Sequence, residues 1–114
     1  MRELTVGQAL TAGSSNTVYT VPKGCKAIAT LLFLSNYGGT TKSITAKWYN
    51  HSASSEVTIA GGKSVGAGDY IQFSSGRMVM DEYDELRVTP EASSTFSVIF
   101  TVEIHQNTSY QNGS

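Results

Sequence analysis

Three stretches hold residue types that chemistry could use: the glycine-rich "GGKSVGAG" starting at Gly61, the histidines His51 and His105, and the acidic "DEYDE" of Asp81 to Glu85. Gly62-Lys63-Ser64 copies the end of a phosphate-binding loop, in which backbone N–H groups and a lysine cradle the anion. That pattern also needs glycine at position 57, where Val57 stands, and a following helix whose N-terminus faces the phosphate; no helical periodicity follows. A dinucleotide fingerprint counted from Gly66 fails at Ile71. These glycines therefore read as turn residues.

The histidines have no H-x-H or E-x-x-H spacing around them, and the single cysteine, Cys25, forms neither an internal disulfide nor a multi-thiolate metal site. No nucleophile-elbow motif is present. Catalysis, metals and cofactors are not expected. The carboxylates Asp81, Glu82, Asp84 and Glu85 leave two readings: a solvated turn, or a contact with a basic partner or divalent ion. A sugar platform would draw on Tyr37, Trp48, Tyr49, Tyr70 and Tyr83. Trp48 shares strand parity with Ile44 and Ala46 and so belongs to the core; Tyr49, of opposite parity, is the better exposed candidate.

The elements that would position such residues are short. The chain has 114 residues, 39% of them hydrophobic, and a formal charge of −1, which fits one folded domain without the basic excess of a phosphate-neutralising nucleic-acid binder. Residues 1–63 hold most of the Lys/Arg and residues 64–114 most of the Asp/Glu, so either the halves interleave or the molecule is dipolar. No run approaches a membrane span, "MRELTVGQAL" lacks an apolar signal region, and the chain reads as soluble and made in a reducing compartment. Three Asn-x-Ser/Thr sequons, at Asn50, Asn107 and Asn112, have no secretory context and read as chance.

Turn clusters such as "AGSSN", "PKG", "NYGGTT", "HSASS" and "EASS" recur between short apolar runs, which predicts an all-β sandwich or barrel of about nine strands. In "TFSVIFTVEIH", Phe96, Val98, Phe100, Val102 and Ile104 share one face, and only Ile99 breaks the alternation. "SITAKWY", "ELTVGQAL", "TVYTV", "EVTIA", "YIQF", "RMVM" and "ELRVT" complete the set. The run "CKAIATLLFLS" is apolar on both faces: strand parity sets Ala27, Ala29, Leu31 and Phe33 against Ile28, Thr30, Leu32 and Leu34. One face fits the core, and the other needs a cover from a terminal segment or another subunit. Leu32 and Leu34 are the expected interface pair, and Leu31 and Phe33 their mirror. The domain spans 1–106. The polar tail 107–114 reads as a frayed terminus or as an arm that orders against a neighbour, which would bring Tyr110 into the interface.

The order of these pieces resembles a group of small tailed-phage virion proteins, which open with a "YTVPxGK" corner and an apolar strand ending in Ser/Cys-Asn. The matching stretches are "TVYTVPKGCKAIATLLFLSN", "VTIAGGKSV", "YIQFSSGRMVMDEYDELRVT" and "FSVIFTVEI", covering Thr17 to Ile104. "YDE" replaces the family's Gly-Asp, and Cys25 pushes the corner lysine back to Lys26. The resemblance implies a single-domain antiparallel, jelly-roll-like β-sandwich with no reaction to perform. It implies a virion location after synthesis in the host cytoplasm, most simply as a homo-oligomeric capsid decoration or cement protein bound to the major capsid protein. A tail or neck accessory is the alternative within the particle. A carbohydrate- or receptor-binding module is the alternative outside that class, with a glycan as its partner.

Overall fold

The computed structural model describes residues 2–74 and 78–106 and folds them into nine strands: β1 (Arg2–Ala9), β2 (Asn16–Thr20), β3 (Cys25–Asn36), β4 (Lys42–Asn50), β5 (Ser55–Val65), β6 (Tyr70–Phe73), β7 (Met78–Met80), β8 (Glu85–Pro90) and β9 (Phe96–Gln106). Among the described residues there is no helix. Five strands form one sheet in the order β1-β9-β3, with β6 and β7 both paired along the far edge of β3. The other four form a second sheet in the order β2-β8-β4-β5. Every pairing is antiparallel. Successive strands cross from sheet to sheet except at the β4–β5 hairpin and along the β6/β7 edge, which is the winding of a jelly roll. The expected all-β sandwich is thus the fold.

The core lies between the sheets. β9 supplies its spine, because alternation points Phe96, Val98, Phe100, Val102 and Ile104 inward against Ile44, Ala46, Leu86 and Val88 of the second sheet. Antiparallel strands expose every second residue to water, so β9 presents Ser97, Ile99, Thr101, Glu103 and His105 on its back. The basic and acidic halves interleave: β8 lies beside β4, and β9 lies between β1 and β3.

β3 departs from strict alternation. Its ladder with β9 runs in step from Cys25 to Ala29 and again from Leu31 to Asn36, with one extra residue, Thr30, between Ala29↔Val102 and Leu31↔Thr101. This β-bulge reverses the parity of the strand. Ala27 is buried before it, and Leu32, Leu34 and Asn36 are buried after it. Leu32 and Leu34, expected at an assembly interface, are core residues; Leu34 has no exposure at all. Leu31 and Phe33, half-buried, take the outer face together with Ile28.

Glycines that read as turn residues lie inside a strand. β5 continues through Gly61, Gly62 and Lys63 to Val65, and it accommodates them by register shifts against β4 at Ala46, with Gly62 at a φ of 59°. Two asparagines close the corners. Asn36, fully buried, donates from Nδ2 to the carbonyls of Thr40 and Val65 (both 2.9 Å) and accepts the Gly38 N–H at 3.0 Å, so all its polar atoms are partnered. Gly38 is needed there, because a Cβ would overlap the Thr95 hydroxyl. Asn16 donates from Nδ2 to the carbonyls of Thr11, Ser14 and Val88 and ties the β1–β2 turn to β8.

The parity reversal has a direct test. Leu34→Ala empties a core position and should cost about 2–5 kcal/mol, whereas Leu31→Ala, three residues away on the other face, should cost less than about 1.5 kcal/mol. Urea unfolding of the two variants measures the difference.

Candidate functional site

The sandwich has two outer faces, and they are dressed differently. On the four-stranded sheet, β8 and β4 pair Arg87 with Lys47 and Glu85 with Tyr49, while β5 sets Glu56 opposite Tyr49. Arg87 Nε donates to Glu85 Oε1 at 2.7 Å, and its Nη1 donates to Glu56 Oε2 at 2.8 Å. Lys47 Nζ reaches Glu56 Oε1 at 3.4 Å, and the Arg87 guanidinium lies 4.0 Å above the centre of the Tyr49 ring. Charge meets opposite charge across this surface, as on a face built for water. One ring face of Tyr49 is occupied by Arg87.

On the five-stranded sheet the outer surface carries an apolar stripe. Register places Phe33 beside Ile99 and Ile28 beside Val79, with Leu31 between them along β3. The Tyr70 ring stacks on Phe33, with centroids 4.7 Å apart. Ile99, Val79 and Tyr70 are 41%, 51% and 52% exposed, high values for side chains of this size. Around the stripe stand Glu3, Thr5, Lys26, Gln72, Ser97, Thr101, Glu103 and His105. His105 Nε2 lies 3.6 Å from Glu103 Oε1. An apolar centre containing an aromatic pair and ringed by polar groups is the anatomy of a protein-binding surface.

The acidic turn resolves into internal contacts. Asp84 is 2% exposed. Its Oδ2 accepts Trp48 Nε1–H at 3.1 Å and the Asp81 N–H at 2.9 Å, and its Oδ1 accepts the His51 N–H at 2.9 Å. Far from meeting a partner, Asp84 binds the β4–β5 turn to the β7–β8 turn. Glu82 Oε1 accepts the Gly24 N–H at 2.8 Å, while Val21 N–H donates to the Asp84 carbonyl and Tyr83 N–H to the Val21 carbonyl. The Pro22–Gly24 corner and the acidic turn are thus one hydrogen-bonded unit. Glu85 is engaged by Arg87, and of the four acidic residues only Asp81 is exposed. Among the described residues no three His, Cys, Asp or Glu side chains come together to hold a metal.

Tyr83 stands in that turn at a φ of 69°, a region bulky residues rarely adopt, and its ring meets His51 edge-on at 5.3 Å. Cys25 is half-buried against the core, and Trp48 packs on the core as its parity implies. Tyr110 lies outside the described residues. Sequence parity offers Leu31 and Phe33 only as the mirror of the expected interface pair, and it does not mark Ile28 and Val79 as a surface; Ile99, the single break in the alternation of β9, marks the position.

Two predictions follow from these contacts. Asp84→Ala strands three donors, one of them the Trp48 indole, and should lower stability by about 2–4 kcal/mol with a shift in Trp48 emission; denaturation followed by fluorescence reads both. The Arg87 guanidinium holds the Glu56 carboxyl below its ordinary value of 4.5, and the Ser43 N–H does the same for Glu91. The unfolded chain therefore takes up these protons first, so this stabilisation is complete above the ordinary value and is lost as pH falls through the lowered ones. The melting midpoint should drop as pH falls below the ordinary value of 4.5, and Glu56→Gln should shallow that drop slightly, since both groups face water.

Comparison with known proteins locates the fold. No family model matches the chain, and no curated protein matches it. Among solved structures, it is similar to a protein of the Bacillus endospore appendages, which form a family of disulfide-linked pili: TM-score 0.57, 14% identity, covering 92% of this chain and 87% of that one. At that identity the likeness is one of fold.

Proposed function

We propose that this chain is a non-enzymatic structural protein that works by contact, through the outer face of its five-stranded sheet. The observation that carries the reading is the asymmetry between the two outer faces, one a lattice of paired charges and the other an apolar stripe of Ile28, Leu31, Phe33, Tyr70, Val79 and Ile99 within a polar rim. A face of that kind is a protein-contact surface. The phage resemblance supplies the setting: a protein that decorates or cements a capsid shell, held by many weak contacts whose avidity exceeds any single one. Within a particle the alternative position is the tail or neck.

The likeness to the endospore appendage protein favours a second reading, in which copies join into a filament. Disulfides cannot run along such a filament of this chain. It has one cysteine, and one thiol forms one disulfide, so Cys25 links at most two copies.

The test is abundance and incorporation. Quantitative mass spectrometry of purified particles should find this chain at a ratio near that of the major shell protein. Ile99→Lys and Val79→Lys should reduce incorporation at least about ten-fold, while Thr58→Lys on the opposite sheet leaves it unchanged. A handful of copies per particle moves the chain to the neck or tail. Absence from particles, with filaments formed by the purified chain, selects the second reading.

A further inference from the structure

We infer that the partner of the apolar stripe is a second copy of this chain, docked face to face across a two-fold axis. The inference rests on the contact reading above and names its partner. Size is the first ground. The five-stranded sheet sets four strands abreast, with β6 and β7 sharing one edge position, and β3 is 12 residues long. At a strand spacing of about 4.8 Å and a rise of about 3.3 Å per residue, the strands of this face have a footprint of about 600 Å². A stable interface buries about 600–1,000 Å² on each partner, so one copy of this face reaches what another needs.

Composition is the second ground. Apart from the Tyr70 phenol, the described ionisable groups on the face are Lys26, Glu3, Glu103 and His105, the last beside Glu103. One lysine against two carboxylates is close to balance and does not repel its own image. All four groups stand at the end of the face where β3 begins and β9 ends, and the end carrying Ser35, Ser97 and Gln72 has none. A two-fold axis lying in the interface and running across the strands lays the charged end of each copy over the polar, uncharged end of the other. Identical sheets share the same twist and stack with their strands nearly aligned, so Phe33, Leu31 and Ile99 of the two copies interdigitate as inner-face residues do in a sandwich.

The test uses the purified full chain in analytical ultracentrifugation over a concentration series. A dimer at micromolar concentration is expected, and Ile99→Lys and Val79→Lys, each verified as folded by its thermal melt, should weaken it at least about ten-fold, with Thr58→Lys behaving as wild type. A wild-type chain that stays monomeric to about 100 µM overturns the inference, as does a dimer indifferent to both face substitutions. Incorporation of the same variants into particles separates this inference from the reading it rests on. A monomeric wild type whose Ile99→Lys form still fails to incorporate overturns the second copy and keeps the contact face. A dimer broken by Ile99→Lys that incorporates normally keeps the second copy and overturns the contact face as the route into the particle.

Discussion

At Thr30 the ladder between β3 and β9 slips by one residue, and the placement of every later side chain of β3 depends on that slip. Without it, a strand that buries Ala27 would also bury Leu31 and Phe33, and Leu34 and Asn36 would turn outward. Asn36 would then lose its bonds to Thr40 and Val65, and with them the clamp between β3, the following loop and the end of β5. The bulge is held where it is: Thr30 Oγ1 donates to the Thr101 carbonyl at 3.3 Å, across the point where the ladder loses its partner. A single inserted residue thereby decides both which atoms make the core and which apolar atoms remain outside it.

Polar groups fix the corners of the sandwich as firmly as apolar groups fill its centre. Asp84, Asn36 and Asn16 each join segments distant in sequence, and each does so by accepting or donating to backbone groups that turns leave without a ladder partner. Burial of Asp84 is tolerated because its oxygens take three donors at once. The result is a frame in which loops at both ends of the molecule are tied to the strands, Asn16 and Asn36 at one and Asp84 at the other, and the sheet faces are left to meet water or protein.

Sequence periodicity was a reliable guide wherever alternation was clean. β9 could be oriented residue by residue, because five large apolar side chains at period two leave only one inward face. β3 could not, since nothing in "AIATLLFL" announces a bulge: there is no glycine or proline, and both parities are apolar. Its two-sided character was legible, and which side was core was not. β5 was read short because Gly61-Gly62 is turn chemistry in most contexts, and here the neighbouring strand absorbs it by register shifts. The acidic turn looked like a solvated cluster because composition cannot separate a carboxylate that faces water from one that organises three donors. The inner role of Asp84 emerges only when Trp48 and His51 arrive from another part of the chain.

The position of β9 governs how the protein comes into being. Of the nine described strands it comes last in sequence, yet it lies between β1, the first of them, and β3. Until it emerges, the five-stranded sheet has no continuous backbone ladder, and the apolar sides of β1 and β3 face solvent with nothing between them. Strand pairing across nearly the whole chain is slow, because closing so long a loop precedes any reward from the contacts it makes. The nascent chain is therefore sticky for most of its synthesis, and a copy interrupted before Phe96 is a candidate for capture by chaperones or by a neighbour's β9.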